Sequence, residues 1–141
     1  MSRGVGWGWS RGWELWYRRV LPAYWVYIFC ATHFPRPDLP VPFPSEDKVL
    51  HFIMYALLAF LYWRCGETVR RPLSGQFVYV AAVVLLSYGA IDEYLQRFVN
   101  RGPSVTDWLA DAAGALTALG LLEWRRRRAA RLSNAAVGQA S

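Results

Sequence analysis

Between Phe77 and Ile91 the chain carries no charged residue, and Asp92 and Glu93 follow at once. Three other apolar stretches accompany it, around Val20–Phe34, Glu46–Arg64 and Asp107–Trp124. Roughly 20 apolar residues of helix cross the hydrocarbon of a bilayer, where each backbone group must be bonded within its own segment. Composition agrees with that solvent. Of 141 residues 55% are hydrophobic and 18% charged, where a soluble domain averages about a quarter charged. Basic and proline-rich connectors dilute the mean hydropathy to +0.12. The expected fold is all-α, an integral membrane bundle of four transmembrane helices in one domain.

Taken in order, residues 1–15 are rich in Gly, Trp and Arg and have no apolar period. They read as a flexible tail with tryptophans at headgroup level. The first helix is expected over Trp16–Phe34, its short apolar core completed by Trp16, Tyr17 and snorkelling Arg18 and Arg19. A signal peptide is the rival, but the long preceding segment and the lack of an A-x-A site argue against cleavage. Pro35, Pro37, Pro40, Pro42 and Pro44 then impose an extended loop. Ser45 can cap a second helix over about Glu46–Arg64, roughly 28 Å long, with Tyr62 and Trp63 as an aromatic belt at its far end. After a basic loop, Arg64–Pro72, Ser74 or Gly75 opens the third helix, which continues to Phe98 or Val99. The turn Asn100-Arg101-Gly102-Pro103 leads to Ser104, which caps a fourth helix ending at Trp124 before Arg125–Arg128. Residues 16–124 thus form the membrane domain, and 125–141 read as a basic, disordered tail.

Four spans place both termini on one side. Twelve of the 16 Lys and Arg fall on that side, against Arg36, Lys48, Arg97 and Arg101 on the other. The positive-inside rule therefore puts both termini in the cytoplasm. A soluble nucleic-acid binder would not set its arginines at the ends of four apolar runs, so the net charge of +6 does not point to nucleic acid. Cys30 and Cys65 have no zinc or redox spacing and are expected at opposite depths of the bilayer.

On this topology the ionisable groups within the spans gather at the outer face. Asp47, Lys48, His51 and Tyr55 open the second helix. Asp92, Glu93, Gln96 and Arg97 close the third, and Ser104, Asp107 and Asp111 open the fourth, with Arg101 in the intervening turn. Asp47, His51 and Tyr55 share a helical face, as do Tyr88, Asp92 and Gln96, while Asp107 and Asp111 continue into the small residues Gly114 and Ala118. Ionisable groups near lipid are costly and usually face a protein interior or a watery cavity. Blander accounts exist for each. Glu93 and Arg97 have the spacing of a surface ion pair, Asp107 and Asp47 sit where helix starts favour acids, and His51 can be a packing residue. Asp92 and Asp111 are the hardest to explain so.

The pattern Asp47-Lys48-x-x-His51-Phe52-x-x-Tyr55, then Tyr88-Gly89-x-x-Asp92-Glu93-x-x-Gln96, then Arg101-x-x-Ser104-x-x-Asp107 with Gly114, resembles the VanZ-like family of bacterial membrane proteins. The likeness covers about Asp47–Gly120. It departs at Asp111, where the family more often carries asparagine, and that difference adds a charge. The resemblance implies a small integral protein, usually of four helices, in the bacterial cytoplasmic membrane. The name-giving member is associated with resistance to the glycopeptide teicoplanin.

Two functional readings follow, beside a polar network that only sets helix register. In the first, Asp47, Lys48, His51, Tyr55, Asp92, Glu93, Gln96, Arg101, Ser104, Asp107 and Asp111 line a pocket for a membrane lipid or lipid-linked envelope molecule. In the second, the pocket is an enzyme with His51 as base oriented by Asp92, and Glu93 as a further acid–base group. No cofactor or metal is assigned. A divalent cation at Asp92, Asp107, Asp111 and His51 would need oxygen-rich geometry that spacing does not establish. The inner halves of the helices lack polar groups, which argues against transport through one chain.

Overall fold

The computed structural model describes residues 11–34, 44–69, 73–99 and 102–139, the side chains of 11–14 and 44–46 excepted. They form four α-helices: α1 (Arg11–His33), α2 (Pro44–Val69), α3 (Gly75–Gln96) and α4 (Val105–Gly138), with a 3-10 turn over Arg97–Val99. No strand occurs among the described residues. Cys30 and Cys65 are both free.

α2 is the hub. It packs most closely on α4 and also touches α1 and α3. Ring contacts set the directions. Trp25 of α1 meets both Tyr62 of α2 and Tyr88 of α3, and Tyr62 in turn stacks on Phe77. The chain therefore runs up and down, so the start of α2, the end of α3 and the start of α4 share one end of the bundle. Ile28, Leu58, Trp63, Leu85, Ala115 and Leu119 fill the core between them. Gly114 lets α2 and α4 come together: a Cβ there would strike the Phe52 carbonyl and lie 3.1 Å from its Cα.

The outer surface is apolar as well. Val49, Ile53, Leu57 and Phe60 of α2, Val80 and Val83 of α3, and Leu109 and Leu116 of α4 are exposed. Contiguous apolar surface on this scale is foreign to water-soluble monomers. α2, α3 and α4 are long and apolar enough to cross a membrane. α1, at 23 residues, has the length but is not among these spans, because Arg18, Arg19 and its many tyrosines and tryptophans lower its hydropathy.

Several expected boundaries move. α1 begins at Arg11, inside the segment read as a tail; residues 1–10 lie outside the described residues, as do the proline loop from 35 to 43 and 70–72. α2 begins at Pro44, whose fixed φ suits a first helical residue, so Ser45 falls inside the helix. It also continues to Val69, past the expected loop at Arg64. Trp63 is not a belt residue but a core one, packed edge-on to Phe77. Ser74 caps α3 and Ser104 caps α4, each accepting from the amide three residues on.

The largest difference is at the end of α4, which runs through Arg125–Arg128 to Gly138 where a stop and disorder were expected. Arginine and alanine are strong helix formers. Glu123 also accepts from Arg126 at 2.7 and 2.8 Å and from Arg127 at 2.5 Å, holding the turn in which the charges begin. At about 1.5 Å per residue, 34 residues span roughly 51 Å, well beyond a hydrocarbon core of about 30 Å.

Candidate functional site

His51 stands two turns into α2 with Tyr55 one turn deeper, and Asp111 occupies the same level of α4. The His51 Nδ1 lies 3.0 Å from Asp111 Oδ1. Their helices are close enough for this pairing because Gly114, one turn below Asp111, rests on the Phe52 backbone. His51, Asp92, Glu93 and Asp111 are 4%, 1%, 5% and 1% exposed, so this is an interior cluster and not a ring of surface charges.

From α3, Asp92 and Glu93 point into the bundle. Gln96 donates to Glu93 Oε1 at 3.1 Å and lies 3.4 Å from Asp92 Oδ2. The Ser104 amide donates to Glu93 Oε2 at 2.8 Å, tying the start of α4 to the end of α3. The expected Glu93–Arg97 surface pair does not form. Glu93 is on the buried face, and Arg97 instead reaches the Tyr94 hydroxyl and lies 3.5 Å from the centroid of its ring. Trp108 adds a second tie between α3 and α4, its indole donating to the Leu86 carbonyl at 3.2 Å.

Asp92 does not orient His51. It faces His33 of α1, with 3.6 Å between His33 Nδ1 and Asp92 Oδ1, and Thr32 of α1 is buried beside it. The enzyme reading pairs His51 with Asp92; the bundle pairs it with Asp111 instead, because α2 packs most tightly on α4. His33 and Thr32 were missed altogether. Their signal was positional: they are the last polar residues of an apolar helix, at the end where the other polar groups gather.

The upper part of the site is more open. Lys48 Nζ lies 3.3 Å from Asp107 Oδ1. Asp47, His51 and Asp107 each bring a ligand-type atom within 4.8 Å of the others, as do His51, Glu93 and Asp111 deeper down. Tyr55 stacks on Tyr88 with 6.0 Å between ring centroids. Gly89 leaves them room, since a Cβ there would sit 3.3 Å from Tyr55 Cε1. Arg101 lies outside the described residues. Every other residue of the sequence-derived set is brought to this end.

Among the described residues, the buried atoms at this end that make no hydrogen bond include His33 Nε2, Asp92 Oδ1, Asp111 Oδ2 and the Tyr55 and Tyr88 hydroxyls, although Asp92 Oδ1 faces His33 Nδ1 at 3.6 Å. Buried polar groups are normally satisfied, so this set offers acceptors and hydroxyls to something else. A concavity of about 570 Å³ beside Glu123, Trp124 and Arg127 lies at the other end of α4.

The sequence pattern of the VanZ/LLP1 family matches residues 11–126. The chain belongs to that family. It is also 28% identical over 110 residues to YwnJ, an uncharacterized membrane protein of Bacillus subtilis (strain 168), a match covering 70% of this chain and 72% of that protein. No solved structure matches the chain. The VanZ/LLP1 match includes α1, the helix that supplies Thr32 and His33 and lies outside the three motif blocks within Asp47–Gly120.

Proposed function

We propose that this VanZ/LLP1 protein is a four-span protein of the bacterial cytoplasmic membrane, both termini cytoplasmic, that binds the polar head of an amphiphilic or lipid-linked envelope molecule at its outer face. The observation that carries this reading is the set of buried, unpartnered atoms on Tyr55, Tyr88, Asp92 and Asp111. Carboxylate oxygens accept from amines and hydroxyls, and a tyrosine hydroxyl both donates and accepts. A headgroup bearing such groups would satisfy all of them, while its acyl chain lies on the apolar exterior of α2 to α4. Lys48 at the rim, beside Asp107, would meet an anionic group. α1 is completed as a span by Trp16 and Tyr17 and by arginines that snorkel. Positive-inside counting orients the bundle. An effect on teicoplanin-type glycopeptide susceptibility follows if the ligand is an envelope intermediate.

Native mass spectrometry of the purified full chain tests this. The expected spectrum shows one retained lipid or lipid-linked species, released by Asp92→Asn together with Asp111→Asn while the helical content is kept. A ligand-free spectrum of the folded protein, across mild detergents, would overturn the reading.

A further inference from the structure

The cluster buries three carboxyl groups against two imidazoles. Asp92, Glu93 and Asp111 are all buried, and two imidazoles face them, His33 beside Asp92 and His51 beside Asp111. Carboxylates taken out of water are strongly disfavoured unless they are paired or coordinate a metal.

We propose that His51, Glu93 and Asp111 bind one first-row divalent cation, joining α2, α3 and α4 at a single point. One ligand-type atom from each lies within 4.8 Å of the other two. Metal–ligand bonds of about 2.1 Å place neighbouring donors roughly 3 to 3.5 Å apart, and His51 and Asp111 already stand at 3.0 Å. Glu93 is held for the role. Gln96 and the Ser104 amide each occupy one lone pair of its carboxylate and leave others for a metal, the way outer groups orient metal ligands.

Two unpartnered groups point to the same place. Asp111 Oδ2 is buried without a partner although Oδ1 is bonded. The Tyr55 hydroxyl, on a side chain 1% exposed, is also unpartnered and within electrostatic reach of Asp111, Asp92 and Glu93. A water on the cation would bond it.

The shallower trio, Asp47, His51 and Asp107, competes for the same histidine. It is the weaker candidate because Asp107 already faces the Lys48 ammonium and is partly open. One imidazole with two carboxylates is a mixed nitrogen and oxygen set. It suits Zn2+ or Mn2+ better than Mg2+ or Ca2+, with Zn2+ the tighter of the first two.

The cation site shares its cluster with the proposed headgroup-binding groups but does not depend on a lipid, so the two fail separately. Lipid retained by chelator-treated protein that takes up no metal would end the cation site alone. Stoichiometric metal without lipid would support the site and count against headgroup binding.

The test uses the full chain in detergent, stripped with EDTA and titrated with Zn2+, Mn2+ and Mg2+, with bound metal counted by mass spectrometry after desalting. One Zn2+ per chain is expected, with weaker Mn2+ uptake and no stoichiometric Mg2+. Asp111→Asn and Glu93→Gln should each weaken Zn2+ by at least about tenfold, whereas Asp107→Asn should leave it near the unmodified value. Loss with Asp107→Asn and none with Asp111→Asn would overturn the assignment. Should the buried variants fail to fold, Co2+ added to the unmodified chain decides. A visible d–d band saturating at one equivalent supports the site, and its absence overturns it.

Discussion

Asp111 and His51 are 60 residues apart in the chain and 3.0 Å apart in the interior of the bundle. This pair fixes the relation of α2 to α4 at the level of the polar cluster, and both side chains are nearly sealed from solvent. Removing one partner leaves the other buried without its bond. His51→Ala and Asp111→Ala should therefore each cost about 3 kcal/mol, and the double variant much less than their sum. A double-mutant cycle from reversible unfolding in mixed micelles should give a coupling of about 1–3 kcal/mol. Additive losses would show that the two side chains do not act as a unit.

Gly114 carries a prediction of a different kind, because it concerns backbone approach. A methyl group there meets the Phe52 carbonyl, which belongs to a helix and cannot swing aside. Gly114→Ala should force α2 and α4 apart at a cost of about 1–3 kcal/mol, read as a lower midpoint of thermal unfolding. Gly120→Ala is the control on the same helix, since a Cβ there has nothing within 4 Å. Equal behaviour of the two would remove the close approach.

The helices and their polar ends were legible because lipid allows few alternatives: an apolar run of this length must satisfy its own backbone. The periodicity of Asp47, His51 and Tyr55, and of Tyr88, Asp92 and Gln96, also placed these residues at one end. Which acid meets which imidazole was not legible. That depends on which helices are neighbours, and local sequence is silent on it. The enzyme reading has Asp92 orient His51, whereas His33 faces Asp92 and Asp111 pairs with His51. The basic run Arg125–Arg128 misled for another reason. It ends the apolar stretch of the sequence, and helix propensity carries α4 on to Gly138.

Membrane orientation gives a third prediction. Arginine is concentrated at the end of the bundle opposite His51, Asp92 and Asp111, and the positive-inside rule assigns that end to the cytoplasm. A fluorescent-protein fusion after Ser141 should be bright and an alkaline-phosphatase fusion there inactive. Phosphatase placed in the segment 35–43 should be active. The reverse pattern would move the polar cluster to the cytoplasmic face and end the envelope-facing assignment.

Glu93 supplies the last prediction, because it joins two helices across a turn. Its Oε2 accepts from the Ser104 amide at 2.8 Å, and Ser104 in turn caps α4 by accepting from Asp107 at 3.3 Å. A hydrogen bond to a charged group contributes about 1.5–3 kcal/mol, so its loss should be felt first as fraying of the α4 start. Glu93→Ala should lower hydrogen-exchange protection over residues 102–108 by roughly tenfold to a hundredfold, the same energy converted at about 1.4 kcal/mol per decade. Glu93→Gln keeps a carbonyl acceptor for the Ser104 amide and should lose much less. Protection falling equally in both variants would mean that the charge of Glu93, and not its position, holds the turn. Unchanged protection in Glu93→Ala would show that Ser104 caps α4 without help from α3.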